Sequence, residues 1–348
     1  MPTGGNLVRQ ATVDLLTQMG LAWKRRGDLG RSRAYMRAAN QVARTEDFED
    51  LLRRGRLRDI PGIGPSIERT IQEFARTGER PAWLAQEPEA QPGESEVKTI
   101  PRWAVDAPFP DAPDLHCHTT WSDGTMTLDE VVAFAERLGA KAIGISDHSG
   151  SLRVARGLSR QEVLMQWADI ERVQEAHPRI RILRGTECDI LRDGRLDHDP
   201  DVLAGFDYVI GSLHSRLRLP KEEQTARVLA ALDDPRLTAL GHPTTAVPGR
   251  RPAASLDFDA IFEKAAERGV AMEVNGNPGR LDLPVRLAKR ALEMGCRLSL
   301  GSDGHSAWEM LHLARARRMA AEAGATERDL VNYRFVEEER VTRSRPAR

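Results

Sequence analysis

The stretch Asp114-Leu115-His116-Cys117-His118, followed at once by Thr119-Thr120-Trp121-Ser122-Asp123-Gly124, constrains this chain more than any other. It reads as a short strand running into a loop. Side chains on a strand alternate faces with period two, so His116 and His118 point one way and Cys117 the other. A pair of histidines two apart is common and decides little by itself, but the pattern recurs. His148 follows Ala142-Ile143-Gly144-Ile145-Ser146-Asp147, and Glu187 ends Ile182-Leu183-Arg184-Gly185-Thr186-Glu187. His214 follows Tyr208-Val209-Ile210-Gly211-Ser212-Leu213, and His242 follows Leu237-Thr238-Ala239-Leu240-Gly241. Asp303 and His305 follow Leu298-Ser299-Leu300-Gly301-Ser302, again two apart. Segment 270–275 reads as one more strand, without an obvious ligand. His177, His198 and His312 fall elsewhere, and an ordinary structural role suffices for them.

Helices read at 128–138, 160–175, 222–232, 258–268, 284–294 and 307–323 alternate with these strands. Such alternation implies parallel strands with right-handed crossovers closed into a barrel. Sites in such folds gather at the C-terminal ends of the strands. There lie His116, His118, Asp123, His148, Glu187, His214, His242, Asp303 and His305. A set of imidazoles and carboxylates without thiolate suits Zn²⁺, Mn²⁺ or Fe²⁺. Asp147 is expected to orient a ligand or to cap a helix.

Segment 6–78 reads as helical, with helices expected at 7–23, 32–43 and 48–52. The run Ile60-Pro61-Gly62-Ile63-Gly64-Pro65-Ser66 resembles a helix-hairpin-helix motif. Gly62 and Gly64 would allow a tight turn that points backbone N–H groups outward at a helix N-terminus, a ready anion site for nucleic-acid phosphates. Residues 1–78 hold 14 Lys or Arg against 9 Asp or Glu, and Arg53, Arg54, Arg56 and Arg58 cluster beside the hairpin. Gly62, Gly64, Ser66, Arg56 and Arg58 are therefore the expected DNA contacts. Net charge over the whole chain is −1, so any nucleic-acid surface must be local. No apolar run approaches a membrane span. Three cysteines without a C-x-x-C pairing suit a reducing cytoplasm.

The combination His-x-His, Ser-Asp-Gly, Asp-His, Glu, Ser-Leu-His-Ser-Arg, Gly-His-Pro and Ser-Asp-Gly-His resembles the PHP (polymerase and histidinol phosphatase) family. Ser212-Leu213-His214-Ser215-Arg216, Gly249-Arg250-Arg251 and Arg280-Leu281-Asp282-Leu283-Pro284 are most similar to the PHP domain of bacterial family X DNA polymerases. The resemblance implies an α/β fold, a distorted (β/α)7 barrel over 113–335, preceded by an all-α helix-hairpin-helix domain over 1–80. A proline-rich linker at 81–112 and a charged tail at 336–348 complete the expected organisation. A polymerase palm has no room between the two modules. The helix after the hairpin lacks the lysine that lyase relatives use.

By resemblance three divalent transition metals assemble here. His116, His118, Glu187 and Asp303 would hold the first, Asp123, His148 and His305 the second, and Glu187, His214 and His242 the third. Glu187, Asp303 and His214 are the implied catalytic residues. Arg216, Arg280, Arg250 and Arg251 are candidates to clamp phosphate, because guanidinium matches phosphate bidentately. The expected function is a DNA phosphoesterase, a 3′-5′ exonuclease or a 3′-end or abasic-site processing enzyme with a functional link to a DNA polymerase. A histidinol-phosphatase type of small-molecule phosphatase and a non-enzymatic polymerase-accessory protein are the alternatives.

Overall fold

The computed structural model describes residues 4–26, 28–45, 47–85, 97, 99–280 and 282–336 of the 348. It divides into two compact units, Met1–Glu94 and Ser95–Arg348. Pro88 and Pro92 of the expected linker, Leu281, and the expected tail beyond Val336 lie outside the described residues.

The first unit holds α1 (Gly4–Arg25), α2 (Leu29–Arg44), α3 (Phe48–Arg53), α4 (Pro65–Thr77) and the short α5 (Ala82–Ala85). Asp28 caps α2 by accepting from Arg31 N at 2.9 Å. Leu15, Leu16 and Met19 of α1 meet Ala38, Ala39 and Val42 of α2 in one buried core. The two helices approach so closely that a Cβ at Gly20 would lie 2.6 Å from Met36 Sδ. Ile60, Ile63, Ile67 and Ile71 recur at three- or four-residue spacing and bury the hairpin and α4 against that core. Each such side chain contributes about 1.5–3 kcal/mol on full burial.

In the second unit β1 (Ala142–Ile145), β2 (Arg181–Asp189), β3 (Tyr208–Ser212), β4 (Ala239–Leu240), β5 (Ala271–Asn275) and β6 (Leu298–Gly301) form one parallel sheet in sequence order. Around it run α6 (Arg102–Val105), α7 (Leu128–Arg137), α8 (Arg160–Ala176), α9 (Pro200–Leu203), α10 (Lys221–Ala231), α11 (Phe258–Arg268), α12 (Val285–Glu293), α13 (Ala307–Met310) and α14 (Leu313–Glu322). Capping boxes at Thr127/Glu130 and Ser159/Glu162 start α7 and α8.

Two expectations need correction. The sheet has six strands rather than seven, because segment 114–118 makes isolated bridges instead of a ladder. It still joins the two sheet edges: Asp114 O accepts from Gly144 N at 2.8 Å, and His118 N donates to Gly304 O at 2.9 Å. Side chains take the places of ladder partners. Asp114 Oδ1 accepts from His116 N at 3.0 Å and Ser302 N at 2.9 Å, while Ser146 Oγ accepts from Cys117 N at 2.9 Å. The helix expected over 307–323 is two helices, broken where Leu311 N and His312 N reach back only three residues, to Trp308 O and Glu309 O.

The proline-rich stretch is also less linker than expected. Leu84 is buried in the first unit's core, and Val97, Ala107 and Ala112 are buried in the second unit.

At the N-terminal end of the strands the barrel interior is apolar, with Leu115, Ala142, Leu183, Tyr208, Ala239, Ala271, Val331 and Phe335 packed together. Tyr208 fills it by lying against two glycines and donating from its hydroxyl to Leu115 O at 2.7 Å. A Cβ at Gly185 would sit 2.1 Å from Tyr208 Cζ. Gly185→Ala should therefore destabilise the barrel by about 1–3 kcal/mol, the cost of overpacking, read as a lower urea midpoint. An unchanged midpoint would mean that the ring has room to move.

Candidate metal centre

The opposite end of the barrel is polar. His116 and His118 lie on one face of segment 114–118, both fully buried, while Cys117 points away into the apolar layer beneath α7. His148 lies three residues past β1 and bridges to Glu187 near the end of β2. His214 and His242 lie two residues past β3 and β4, and Asp303 and His305 lie just past β6. Asp123 rides on a loop held by Asp147, which accepts from Thr119 N at 2.9 Å, Thr119 Oγ1 at 2.7 Å, Ser122 N at 3.2 Å and Gln166 Nε2 at 2.6 Å. Asp147 thus neither orients a ligand directly nor caps a helix. It builds the loop that delivers one.

Glu187, 1% exposed, is the centre of the cluster. Its two oxygens lie 2.7 Å from His242 Nε2, 2.9 Å from His148 Nδ1, 3.2 Å from His214 Nε2 and 3.3 Å from His116 Nε2. Asp303 Oδ1 lies 3.5 Å from His118 Nε2 and 3.8 Å from His116 Nε2. Asp123 Oδ1 lies 3.2 Å from His305 Nε2 and 3.6 Å from His148 Nε2. All nine sequence-derived ligands therefore meet in one place.

Their ligand atoms form four overlapping groups: His118, Asp123, His148 and His305; His116, Glu187 and His242; His116, His118 and Asp303; and His148, Glu187 and His214. The grouping differs from the one the resemblance implies. His242 sits with His116, His148 is shared with Glu187 and His214, and His118 joins the Asp123 group.

These residues fit divalent ions on two grounds. Two ligands bound about 2.1 Å from one ion, at tetrahedral or octahedral angles, lie about 3.0–3.4 Å apart, and the spacings above, from 2.7 to 3.8 Å, bracket that range. The buried Nε2 atoms of His116, His118 and His214 also make no hydrogen bond. A buried nitrogen without a partner is costly, and a cation removes the cost.

The electrostatics agree. Burial would raise the pKa of Glu187, but His214, His116, His148 and His242 hold it well below the ordinary carboxylate range. Burial together with His305 and His148 lowers His118 to about 3, which leaves its lone pair free. His214 and His305 are pushed the other way. Burial opposes their charging, but Glu187 and Asp189 around His214, and Asp123 around His305, raise each to about 9.

A second layer of contacts orients these groups. Arg280 Nε donates to Asp303 Oδ2 at 2.6 Å, and Asn275 Nδ2 donates to the same oxygen at 3.2 Å. Asp189 Oδ1 lies 2.5 Å from His214 Nδ1, and its other oxygen accepts from Ser151 Oγ at 2.8 Å. Glu273 Oε1 lies 2.5 Å from His116 Nδ1. Sequence reasoning missed Asp189 and Glu273. The signals were present: Asp189 shares a strand face with Glu187, and Glu273 is the one charged residue in the strand run Ala-Met-Glu-Val-Asn.

Of the phosphate candidates, Arg280 stands at the cluster. Arg251 is half-buried, donates from Nε to Thr245 O at 2.8 Å, and is near enough to Arg280 for the two charges to repel. Arg216 and Arg250 are exposed, and no contact ties them to the cluster. Arg216 has φ +54.

In the first unit Gly62 adopts φ +83, Gly64 is the N-cap of α4 with Pro65 at its first position, and Ser66 is exposed. The arginine cluster is weaker than its composition suggested. All four are exposed, but Arg53 and Arg54 both pair with Asp50 at 3.2 and 2.9 Å and Arg56 pairs with Asp59, so of these four only Arg58 has no ion pair among the described residues.

Protein purified without chelator should carry at least two transition-metal ions per chain by elemental analysis. Because His214 and His305 hold protons up to about pH 9 in the bare site, metal loading must displace them. Apparent affinity should therefore rise with pH from 6 towards 9, as measured by competition with a chromogenic chelator. No bound metal under any loading condition would contradict the metal centre.

Residues 114–277 match the PHP domain family, and residues 9–80 match the helix-hairpin-helix domain. The Bacillus subtilis protein named DNA polymerase/3'-5' exonuclease PolX is 37% identical over 226 residues, 65% of this chain but only 40% of that protein. A protein of Clostridium acetobutylicum named "probable phosphatase" is 30% identical over 202 residues, 55% of this chain and 78% of that protein. The crystal structure of histidinol phosphate phosphatase from Lactococcus lactis, complexed with zinc, L-histidinol and phosphate, covers 62% of this chain and 95% of its own, with TM-score 0.44 and 19% identity. The chain belongs to the PHP family as a metal-dependent hydrolase of phosphoester bonds, and a helix-hairpin-helix domain precedes its PHP domain.

Proposed function

We propose that this hydrolase acts on DNA, as a 3′-5′ exonuclease or as an enzyme that processes 3′ ends or abasic sites. The observation that carries the reading is the pairing, in one chain, of a complete nine-residue ligand cluster with a helix-hairpin-helix unit. A small phosphorylated metabolite gives no reason for the second. A non-enzymatic accessory role gives no reason for the first.

The nine residues would hold three divalent transition metals, Zn²⁺, Mn²⁺ or Fe²⁺. Bound there, such ions acidify a water and neutralise charge on the phosphoryl group. The chain's own charges support more than one such ion. Asp123, Glu187, Asp189, Glu273 and Asp303 bring five carboxylates, opposed by Arg280 and, behind Asp189, by Arg227. Once metal binding has made the imidazoles neutral, five carboxylates against two guanidinium groups leave three negative charges for the cations to match. Two divalent ions make the site positive and a third makes it more so, as a phosphate anion requires. Glu187 would keep the cations together, Arg280 steadies Asp303, and Arg280 and Arg251 would take phosphate oxygens. Gly62, Gly64, Ser66 and Arg58 would hold the DNA backbone, and a partner polymerase would refill what the nuclease removes.

A phosphatase of the histidinol-phosphatase type is the second reading, favoured by the relatives named as probable phosphatases.

Two experiments test the reading. Glu187→Gln keeps the side chain's shape but removes its charge, so activity should fall by ~10²-fold or more; wild-type rates would place the chemistry elsewhere. Deleting residues 1–94 should leave a folded barrel that still hydrolyses a chromogenic phosphoester. Its DNA cleavage should become weaker and less salt-sensitive, with the slope falling by about 0.9 per lost duplex phosphate contact. Equal DNA cleavage by both proteins at every salt concentration would refute the DNA anchor.

A further inference from the structure

We propose that Glu273 is a positioning residue that decides which ring nitrogen His116 offers to a metal and, with the same carboxylate, fixes the place of His242. It gives β5, the strand without a ligand, a role in the cluster. The inference rests on the metal centre and is independent of whether the substrate is DNA.

Glu273 is 1% exposed and three donors converge on it. Its Oε1 lies 2.5 Å from His116 Nδ1, while its Oε2 accepts from His242 N at 2.6 Å and Asn275 Nδ2 at 3.3 Å. Backbone N–H and amide NH₂ can only donate, so Oε2 accepts from both and Oε1 is left to His116. In the proposed role Oε1 accepts from Nδ1 of His116, which then carries the ring proton. Its Nε2 faces Glu187 Oε2 at 3.3 Å and Asp303 Oδ1 at 3.8 Å, the side on which a cation would take the place of a proton. That nitrogen is buried and without a hydrogen bond.

The neighbouring strand leaves room for this contact. A Cβ at Gly301 would lie 2.6 Å from Glu273 Oε1 and 2.4 Å from His116 Cβ. His242 has φ +26, a conformation that non-glycine residues rarely adopt, and its N–H is the group that Glu273 holds. Asn275, two residues along β5, also donates to Asp303. Strand β5 thus touches three ligands through two side chains.

The chemistry separates this role from simple packing. Glu273→Gln is nearly isosteric, but its NH₂ must face one of the donors. Turned to His116, it needs Nδ1 as an acceptor, which moves the ring proton to Nε2 and closes the ligand lone pair. Turned to His242, it sets donor against donor. Glu273→Ala removes the acceptor without adding a donor. Metal affinity should therefore fall by about 10–100-fold in Glu273→Gln, and by less in Glu273→Ala. A packing role gives the reverse order, because alanine leaves the larger void.

Metal stoichiometry by elemental analysis and affinity by chelator competition read that order. Nitrogen NMR of the full-length wild-type protein reads the tautomer directly, with Nδ1 of His116 protonated and Nε2 not. Gln milder than Ala, or a wild-type His116 protonated at Nε2, would overturn the proposal. A variant that fails to fold leaves the wild-type tautomer measurement as the decisive one. Wild-type protein that binds no metal would refute the metal centre instead, while the tautomer measurement still judges Glu273.

Discussion

The second unit depends on how a buried carboxylate is kept charged. Glu187 is 1% exposed with five imidazoles around it, and no arginine or lysine pairs with it among the described residues. An isolated ion in that position would be untenable, and each imidazole can stabilise it only by carrying a proton or by sharing a cation. The strand ends around it are therefore committed to one electrostatic problem. Asp189 and Glu273 hold the far nitrogens of two of the five rings, so that the near nitrogens face Glu187.

Closure of the barrel belongs to the same constraint. Segment 114–118 joins β1 to β6 and carries His116 and His118, so the element that removes the sheet's two open edges also delivers the first two ligands. Asp114 spends its Oδ1 on backbone donors from both sides of the seam. Burial lifts its pKa to about 6, against the pull of Ser302 and His116. A seam built on side-chain acceptors follows the ring geometry of the histidines rather than the spacing of a regular ladder.

The sequence announced the ligands because each required two things at once, an apolar strand and a polar residue just beyond its end. His148, His214, His242, Asp303 and His305 meet that description, and Glu187 stands near the end of β2. The strand count was less legible. A segment whose ladder partners are the side chains of Asp114 and Ser146 is indistinguishable in sequence from one with backbone partners. The grouping of ligands was not legible either, since it depends on ring rotations set by Asp189 and Glu273 across strands. Composition misled at the hairpin, where Asp50 and Asp59 stand one turn from the arginines they neutralise. Spacing in the chain shows neighbours on one helix face, but a count of positive residues discards that information.

Each of the two units keeps its own apolar core. The cluster around Leu15, Val42 and Ile71 contains residues of the first unit alone, and those around Phe262, Val132 and Tyr208 contain residues of the second alone. Cations can thus stabilise one core without touching the other. Metal scarcity would then divide the protein into two populations of identical sequence, one competent for hydrolysis and one not, with their helical units equally intact. If the helical unit holds DNA as proposed, the idle population would occupy what the competent one would cut, and the metal supply would set a ratio of competitors as well as a rate.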